Sequence, residues 1–534
     1  MNKKLRKLFK NPKAFWRDSK WNRLNRKIEF SKEHIVTREH IVTFENKLLT
    51  PDVLLKPLPS PFNIYYMIDQ LKKYNADAIY IIPIKDHLKR VICVNKSHKK
   101  TFFMTFLNFT YNENISIKYK YQGKIKIPKS LNEFWSDIST LRHLDIRLDT
   151  LRSTERTRFW FRLEFWDEFE DYYLSPTANH ISRKLWKSVA TKHNIFTNTG
   201  NMIDYSDILR YSHESLINFD IDLVFTWVNS DDEDWQKLYY SYKPSTEEEE
   251  SDTTSTSRFF SRDELKYALR SWEKYGSFVR NIYIVSNCKP PEWLDLSQKN
   301  IQWIYHEEIM PDEVLPTFNS HAIETSLHKI KGLSNYFIYS NDDIFLVKPT
   351  KSGDFYFSNG IAKLRLEPYG NVNGFATYGD PDYLNAARNA NALLEKDFHK
   401  TTTQLHTHSP QSMRVDILEK METQYPLDFK RTMSNKFRTY QDISVTSYMY
   451  QHYALLSGNA LQTDIKTEFI QQNHNFSDKL QRIIRLKNKG KLDELPLSVC
   501  LNDGADSHLN EQWNTEIMKF LETFFPEKSR YEKC

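Results

Sequence analysis

Two adjacent carboxylates, Asp342 and Asp343, are the residues whose types and spacing most clearly suggest chemistry. They follow an aromatic and β-branched run at 336–339, which has the composition of a buried strand. Hard oxygen ligands in such a place suit Mg²⁺ or Mn²⁺ bridging to substrate phosphates. A solvated turn is the alternative, because Asn and Asp are ordinary turn residues. A polar set just upstream favours the functional interpretation. Its members are Asn319, Ser320, His321 and Glu324.

These side chains need a rigid mount, and the surrounding sequence predicts one in the form of a largely parallel α/β sheet. Strand-like runs occupy 220–228, 281–287, 301–305 and 336–339, and a helical pattern occupies 319–330. Alternation of this kind is typical of a Rossmann-like sheet with helical insertions. Ligands bind outside the carboxyl ends of the strands in such sheets, and several of these runs end in Asn or Asp.

The length of 534 residues exceeds what one hydrophobic core normally serves, so we expect several domains. We predict a basic segment and linker at 1–60, a smaller α+β domain at 61–215 and the α/β catalytic domain at 216–534. Neither a G-x-G-x-x-G nor a G-x-x-x-x-G-K-[ST] motif occurs in the sequence. A bound nucleotide would therefore be held by metal, Arg and His rather than by a glycine-rich loop.

Cysteine usage and hydropathy predict a cytoplasmic protein. The four cysteines have neither zinc-site nor disulfide spacing, which favours a reducing compartment. No apolar run approaches the roughly 20 residues that span a bilayer, and residues 1–20 lack the apolar segment of a signal peptide. Residues 1–27 carry eleven Lys or Arg against one Asp. This basic segment suits peripheral attachment to the inner membrane, contact with an acidic polymer, or a solvated tail. Nucleic acid is disfavoured, since no recognised nucleic-acid module follows.

Four blocks of sequence occur in order between 220 and 504. They are IDLVFTWVN; SRDELKYALRSWEKYGSFVRNIYIVSN with LPTFNSHAIE and NDD; HTHSPQSMRVDILEKM with KFRTYQDIS; and LSVCLNDG. Together they resemble the Stealth family of sugar-phosphate transferases, which act in bacterial capsule synthesis. Residues 62–199 further resemble capsule polymerases. One departure is Asn229, which stands where many members carry Asp, and this puts a direct metal role for the position in doubt.

The resemblance implies a capsular polysaccharide polymerase. It would transfer HexNAc-1-phosphate, of ManNAc or GlcNAc, from a UDP-sugar to a hydroxyl of the growing chain and release UMP. It also implies Mg²⁺ or Mn²⁺ as cofactor, an oligosaccharide or polysaccharide acceptor, and a capsule export machinery at the inner membrane as partner. Two alternatives stay open: a metal-dependent glycosyltransferase that releases UDP, and a non-catalytic polysaccharide assembly protein.

Such a transfer needs metal ligands, cations for the developing phosphoryl charge and a base for the acceptor proton. Asp342 and Asp343 are the metal candidates, with Asp503 as a third carboxylate from another strand end. His321 and His408 compete for the base, since the unperturbed pKa of imidazole lies near working pH. We favour His408, because it aligns with the third family block.

The remaining candidates would contact substrate. Four arginines are candidates to hold phosphate through paired hydrogen bonds: Arg438, Arg262, Arg270 and Arg365. Asn319 and Ser320 are candidates for sugar hydroxyls. Trp227 would stack on uracil or a sugar face beside Asn229, although an aromatic residue at a strand end more often belongs to the core.

Overall fold

The computed structural model describes residues 82–83, 91–112, 116–128, 131–151, 156–177, 183–186, 217–243, 259, 261–502 and 507–533. The chain divides into two compact units, Met1–Tyr211 and Ser212–Cys534. The basic segment 1–27 and the linker up to residue 60 lie outside the described residues. Among the described helices, none combines the length and apolar character needed to cross a membrane.

The first unit is built on a mixed eight-stranded sheet. Its strands are β1 (Ile82–Pro83), β2 (Val91–Asn95), β3 (Ser116–Tyr121), β4 (Lys124–Lys126), β5 (His143–Leu151), β6 (Arg156–Glu168), β7 (Tyr172–Leu174) and β8 (Lys184–Trp186). Six of them lie in the order β1-β2-β6-β5-β3-β4, and β7 pairs with β6 and β8. The β2–β6 pair is parallel, and the other described pairs are antiparallel.

Two helices, α1 (Lys99–Asn112) and α2 (Leu131–Ile138), complete this unit. Aromatic rings fill its core: Phe103 of α1 lies 5.1 Å from Phe134 of α2 and 5.7 Å from Phe165 of β6, measured between ring centroids. Antiparallel pairing with separate helices confirms the predicted α+β class.

The second unit contains all the candidate site residues. Its strands are β9 (Ile221–Thr226), β10 (Ile282–Val285), β11 (Ile301–Ile304), β12 (Tyr336–Asn341), β13 (Ile344–Leu346), β14 (Ala362–Leu364), β15 (Leu366–Gly370), β16 (Gln404–His406), β17 (Gln411–Arg414), β18 (Ala460–Gln462), β19 (Glu468–Ile470) and β20 (Ser498–Leu501). Its α-helices are α3 (Glu233–Tyr242), α4 (Glu264–Tyr275), α5 (Ser320–Glu324), α6 (Asp382–Phe398), α7 (Val415–Gln424), α8 (Pro426–Ser434), α9 (Gln451–Leu456), α10 (Phe476–Asn488) and α11 (Glu511–Phe524). A π-helical segment, Val445–Tyr450, precedes α9.

A five-stranded sheet, in the order β11-β10-β9-β12-β17, forms the centre of this unit. Strands β9 to β12 run parallel, and β17 is antiparallel to β12. Every residue of β10 is buried, as expected for a parallel strand covered on both faces. The predicted largely parallel α/β sheet with helical insertions is therefore confirmed.

The carboxyl ends of the parallel strands lie level with one another. Thr226 of β9 pairs with Val285 of β10 on one side and with Asn341 of β12 on the other. Val285 in turn pairs with Ile304 of β11. Side chains that follow these strands therefore share one edge of the sheet, which is where ligands bind in open α/β folds.

The amino ends of the same strands are joined by a buried carboxylate. Asp222 of β9 accepts hydrogen bonds from Arg280 Nε at 2.9 Å and Nη2 at 2.6 Å, and from the backbone N–H of Ser334 at 2.7 Å. Arg280 precedes β10 and Ser334 precedes β12, so this group fixes the starts of three strands. An acid at this edge stabilises the sheet and lies away from the carboxyl ends.

Smaller sheets flank the central one. Strands β13, β20 and β19 form a three-stranded sheet, β14 pairs with β18, and β15 pairs with β16. The helix predicted at 319–330 is shorter than expected, because α5 ends at Glu324 and a 3₁₀ turn follows at Leu327–Lys329. The hydroxyl of Thr325 bonds back to the carbonyl of Ala322 at 2.6 Å, a contact that competes with helical backbone hydrogen bonding.

Candidate active site

The two carboxylates Asp342 and Asp343 lie at the carboxyl edge of the central sheet, in the two-residue turn between β12 and β13. Strand β20 fixes this turn from the side. The thiol of Cys500 donates to Asp343 Oδ2 at 3.2 Å, and the N–H of Leu501 donates to the Asp343 carbonyl at 3.0 Å. The acidic turn is therefore held by two sheets at once. Asp503, two residues beyond β20, lies outside the described residues.

A buried His–Asp pair lies at the start of α5. His321 Nδ1 is 3.4 Å from Asp442 Oδ2, and Asp442 has no exposed surface. Burial alone would raise the pKa of Asp442, but hydrogen bonds from His321, Asn435 and Asn319 favour its charged form and hold the pKa below the usual value. Sequence reasoning assigned no role to Asp442, although it lies within the quoted block KFRTYQDIS.

Asn319 hydrogen-bonds to both residues of this His–Asp pair. It caps α5 by accepting from His321 N–H at 3.0 Å, and its amide donates to Asp442 Oδ2 at 2.8 Å and to the carbonyls of Asn435 and Phe437. The side chain is fully buried. The structure therefore gives Asn319 a positioning role in place of the predicted contact with sugar hydroxyls.

Arg438 and Ser320 meet directly, because Arg438 Nη2 donates to Ser320 Oγ at 2.6 Å. Both residues are partly exposed. Ser320 begins α5, so Arg438 approaches the site from the segment that Asp442 anchors. Because both keep exposed surface, this cation and hydroxyl remain candidates for contact with a phosphate or sugar group.

Glu324 connects α5 to the central sheet. Its buried carboxylate accepts from Thr446 Oγ1 at 2.7 Å and from the phenol of Tyr339 at 3.3 Å, and Tyr339 also contacts Thr226 Oγ1 at 2.9 Å. Burial and the charge of Glu324 raise the pKa of Tyr339 well above its usual value, so the phenol stays protonated. This chain of contacts ties α5 to the ends of β9 and β12, beside the acidic turn.

His408 lies in the loop that leads into β17. The residue as a whole is exposed, and its ring stacks on Phe469 of β19 with centroids 4.3 Å apart. The surrounding protein lowers the pKa of His408 to about 4 by desolvation, which keeps the imidazole neutral and also makes it a weaker base. Because Phe469 pairs with Cys500, whose thiol contacts Asp343, His408 belongs to the same edge as the acidic turn.

Arg365 is buried and hydrogen-bonds to the backbone of the loop that contains His408. Its guanidinium donates to the carbonyls of Pro410 at 3.2 Å and Asp354 at 2.6 Å, and its own carbonyl accepts from Thr407 N–H at 2.9 Å. The residue is 1 % exposed, and burial lowers its pKa to about 10. Burial and these backbone partners favour a structural role for Arg365 over the predicted phosphate contact.

Arg262 and Arg270 also have protein partners. Arg262 pairs with Glu264 at 3.1 Å and donates to Asn514 at 2.8 Å, and Arg270 donates to both carboxylate oxygens of Glu532 at 2.7 and 2.6 Å. Both arginines lie at or near α4, and their partners are Asn514 in α11 and Glu532 after that helix. These contacts favour a structural role over the predicted phosphate contacts.

At the end of β9, Trp227 packs into the core. It is 7 % exposed, and its ring meets Trp303 edge to face with centroids 5.3 Å apart. Asn229 is partly exposed, and its Oδ1 accepts from Asp231 N–H at 3.0 Å. The Cys288 thiol lies 3.3 Å from Asn229 N, and burial raises the pKa of that thiol to about 11. Trp227 therefore exposes too little of its ring to favour stacking on a ligand, whereas Asn229 is accessible to one.

The donor set at the acidic turn fits a hard divalent cation. Asp342 and Asp343 are partly buried residues with carboxylate side chains, although Oδ1 of Asp343 is itself buried. Mg²⁺ commonly takes one or two protein carboxylates with substrate phosphates and water. No cluster of three or more His, Cys, Asp or Glu with metal-binding placement occurs among the described residues, a range that excludes Asp503. A two-carboxylate Mg²⁺ or Mn²⁺ site is the arrangement that these residues support.

Comparison with protein families gives two matches. Residues 258–364 match the model of Stealth protein CR2, conserved region 2, and residues 407–455 match Stealth protein CR3, conserved region 3. The first region contains His321, Asp342 and Asp343. The second contains the two further candidates that lie at the sheet edge, His408 and Arg438.

Comparison with individual proteins gives matches over the whole chain or most of it. The capsular polysaccharide phosphotransferase SacB of Neisseria meningitidis serogroup A is 54 % identical over 546 residues, which cover 100 % of this chain and 99 % of that protein. The exopolysaccharide phosphotransferase CpsY of Mycobacterium leprae is 32 % identical over 386 residues, which cover 71 % of this chain and 69 % of that protein.

Solved structures give weaker likenesses. The galactosyltransferase LgtC in complex with donor and acceptor sugar analogues aligns with a TM-score of 0.30 at 11 % identity, covering 58 % of this chain and 96 % of that chain. The bifunctional glycosyltransferase WbbM in its apo form aligns with a TM-score of 0.32 at 10 % identity, covering 57 % and 50 %.

Proposed function

Because the chain belongs to the Stealth family of capsular and exopolysaccharide phosphotransferases, we propose that it is a capsular polysaccharide polymerase. It transfers HexNAc-1-phosphate from a UDP-sugar to a hydroxyl of the growing chain and releases UMP. The family membership makes it a transferase of phosphorus-containing groups. The observation that carries the finer proposal is the convergence of the acidic turn, Arg438 and His408 at one edge of the sheet.

The reaction is a displacement at the β-phosphorus of the donor. The acceptor hydroxyl oxygen forms a bond to that phosphorus while the bond to the bridging diphosphate oxygen breaks, and the electron pair leaves with UMP. Charge develops on the transferred phosphoryl group, so preorganised positive groups lower the barrier. Each of the three groups at the sheet edge has a part in this step.

Asp342 and Asp343 would hold the Mg²⁺ or Mn²⁺ ion, which would supply positive charge to offset the negative charge of the donor diphosphate. Cys500 and Leu501 keep the backbone and carboxylate of Asp343 in place, so the ligands need little reorganisation when the ion and donor arrive.

Arg438 neutralises charge on the phosphoryl oxygens. A guanidinium remains charged at all working pH values and offers paired donors that match phosphate geometry. Ser320 Oγ, 2.6 Å from Arg438 Nη2, orients the guanidinium. Asp442 holds the segment behind Arg438 by accepting from Thr439 N–H at 3.1 Å.

His408 takes the proton of the acceptor hydroxyl. The base must reach a bulky polymer end, and His408 is exposed whereas His321 is 5 % exposed and oriented by Asp442. A lowered pKa keeps His408 neutral between turnovers, and it also makes the imidazole a weaker base. His321 then supports the start of α5, and thereby Ser320.

The donor is UDP-ManNAc or UDP-GlcNAc, and the acceptor is an oligosaccharide or polysaccharide. Polymerisation takes place in the cytoplasm at the inner face of the membrane, with residues 1–27 as the attachment and a capsule export machinery as partner. Each Lys or Arg near an anionic surface contributes about 1 kcal/mol to such attachment.

One assay tests the proposal and separates it from its alternatives. Purified protein is incubated with UDP-ManNAc or UDP-GlcNAc, Mg²⁺ and a primer oligosaccharide, and the released nucleotide is identified. UMP is the expected product. UDP would show glycosyl transfer at the anomeric carbon, and absence of turnover with either donor would leave a non-catalytic assembly protein.

A further inference from the structure

The loop between β15 and α6, residues 371–381, exposes large aromatic side chains to solvent. We call it the aromatic loop. Phe375 is 87 % exposed and Tyr378 is 75 % exposed, although side chains of this kind usually bury most of their surface. Tyr440 is exposed beside them, and its ring meets Tyr378 edge to face with centroids 6.0 Å apart. A cluster of solvent-exposed aromatic side chains is typical of a binding surface.

The backbone that carries these rings is pinned to α6. Asn385, which is fully buried, accepts from Thr377 N–H at 3.0 Å and donates to the Thr377 carbonyl at 2.8 Å. Arg388 donates to the Asn373 carbonyl at 2.9 Å and forms an ion pair with Asp380. Two buried or half-buried polar side chains thus fix the loop on both sides of Phe375 and Tyr378. Rings held this way present a preorganised surface.

The same face of α6 also holds the segment that follows Arg438. Asn389 lies one turn after Asn385 and donates to the carbonyls of Tyr440 and Asp442, each at 2.9 Å. One helix therefore sets the spacing between the aromatic loop and Arg438. The exposed rings are linked to Arg438 through Tyr440, which contacts Tyr378 and lies two residues after Arg438.

The aromatic loop does not approach the site through the His408 loop. Strands β15 and β16 are antiparallel: Gly370, after which the aromatic loop begins, pairs with Gln404, whereas Leu366 pairs with His406, two residues before His408. The aromatic loop therefore begins at the end of this strand pair that lies away from His408. The connection to the site runs through α6 and the segment that contains Arg438 and Tyr440.

We propose that the aromatic loop and Tyr440 form a subsite for the acceptor polysaccharide several sugar units behind the reacting hydroxyl. Pyranose rings expose C–H groups on their faces, and these pack on Phe375 and Tyr378 while the hydroxyls remain in water. Continuity with the Arg438 segment favours a sugar chain as the occupant over a protein partner. This inference rests on the proposed function, because it requires a polymer acceptor.

The test compares Phe375→Ala, Tyr378→Ala and the double variant with wild type. Leu427→Ala on α8 is the matched control, since Leu427 is 77 % exposed. Acceptors are oligomers made by the wild-type enzyme and separated by length, with the donor saturating. Each lost ring should raise the KM for long acceptors by about 2- to 10-fold. The kcat at saturating acceptor should stay within about two-fold, and the polymer products should become shorter.

The outcomes separate this inference from the proposed function. Equal KM values for long acceptors in the double variant and wild type overturn the subsite, even where wild type transfers sugar phosphate normally. Loss of self-association in the variants, measured by sedimentation, overturns it in favour of a contact between copies of the chain. Absence of transfer by wild type overturns both proposals. Unchanged thermal melting confirms that the variants are folded.

Discussion

Replacing Asp442 by Asn removes one acceptor oxygen from the centre of the site and keeps the side-chain volume. Asp442 is fully buried, and its carboxylate receives hydrogen bonds from Asn319, Asn435 and Thr439 and lies 3.4 Å from His321 Nδ1. Asn offers one oxygen and one NH₂ group, so the donors on one side of the carboxylate would face another donor. The substitution therefore leaves some of these buried donors without the carboxylate oxygen that accepts their hydrogen bonds.

The size of the effect follows from the bonds lost. Oδ1 receives Asn435 Nδ2 at 2.6 Å and Thr439 Oγ1 at 3.2 Å, whereas the oxygen of Asn would remain at the Oδ2 position. Hydrogen bonds to charged groups contribute about 1.5–3 kcal/mol each, so Asp442→Asn should lower the free energy of unfolding by about 3–6 kcal/mol. The lower part of this range is expected, because the Thr439 hydroxyl rotates to other acceptors. The kcat should fall too, since Arg438 adjoins this segment.

The loss should also depend on pH. The pKa of Asp442 is held below its usual value of 3.8 in the folded protein. Its carboxylate therefore stabilises the fold fully above that usual value, and the stabilisation disappears as the pH falls through the lower folded pKa. The difference in stability between wild type and Asp442→Asn should accordingly shrink below about pH 4.

Urea unfolding of the full chain, followed by tryptophan fluorescence at several pH values, measures both quantities. Asp464→Asn is the control, because Asp464 is exposed and surface substitutions usually change stability by less than about 0.5 kcal/mol. A neutral-pH stability for Asp442→Asn within about 0.5 kcal/mol of wild type would refute the reasoning. A difference that grows in acid would refute the sign of the pKa argument.

Four further predictions concern the remaining parts of the site. Asp343→Ala should abolish transfer without unfolding the protein, and EDTA should do so reversibly; activity that survives both would exclude the metal. His408→Ala should lower kcat by about 10²-fold or more with donor affinity nearly unchanged, whereas a larger loss in His321→Ala would exchange the two roles. Arg365→Leu should lower kcat through the His408 loop and shift the pH profile of kcat, and a profile identical to wild type would contradict that link. Deleting residues 1–27 should weaken salt-sensitive binding to anionic vesicles and preserve transfer to short acceptors, and undiminished cosedimentation would show that this segment is not the attachment.

The parts of the fold that were predicted correctly from the sequence are those whose own residues form a recognisable pattern. The parallel strands β9, β10 and β12 are short apolar runs followed by polar residues, and that pattern alone marks both the strand and its functional end. Strand β17 was not predicted, because Gln411–Arg414 lacks a strand pattern. Its conformation is imposed by antiparallel pairing with β12, which is a tertiary effect.

The roles of the arginines also depend on tertiary contacts that the local sequence does not reveal. Arg438, Arg365 and Arg270 look alike in a sequence, and their roles depend on which group each one meets. Arg438 meets a serine at the sheet edge, Arg365 meets backbone carbonyls in the interior, and Arg270 meets Glu532. Asp442 has a central place in the structure because side chains 3 to 123 residues away converge on it. No local pattern contains that information.

The attachment of the acidic turn to β20 has a consequence for how the protein is made. Strand β13 directly follows Asp343, yet its partner β20 is synthesised about 150 residues later, and contacts of such separation form late in folding. The ion pairs of Arg270 with Glu532 and of Glu273 with Arg530 extend this dependence to residues later still. A nascent chain therefore cannot fix the acidic turn until β20 has emerged from the ribosome. Under the proposed function, the site would become active only after this late part of the unit has been synthesised.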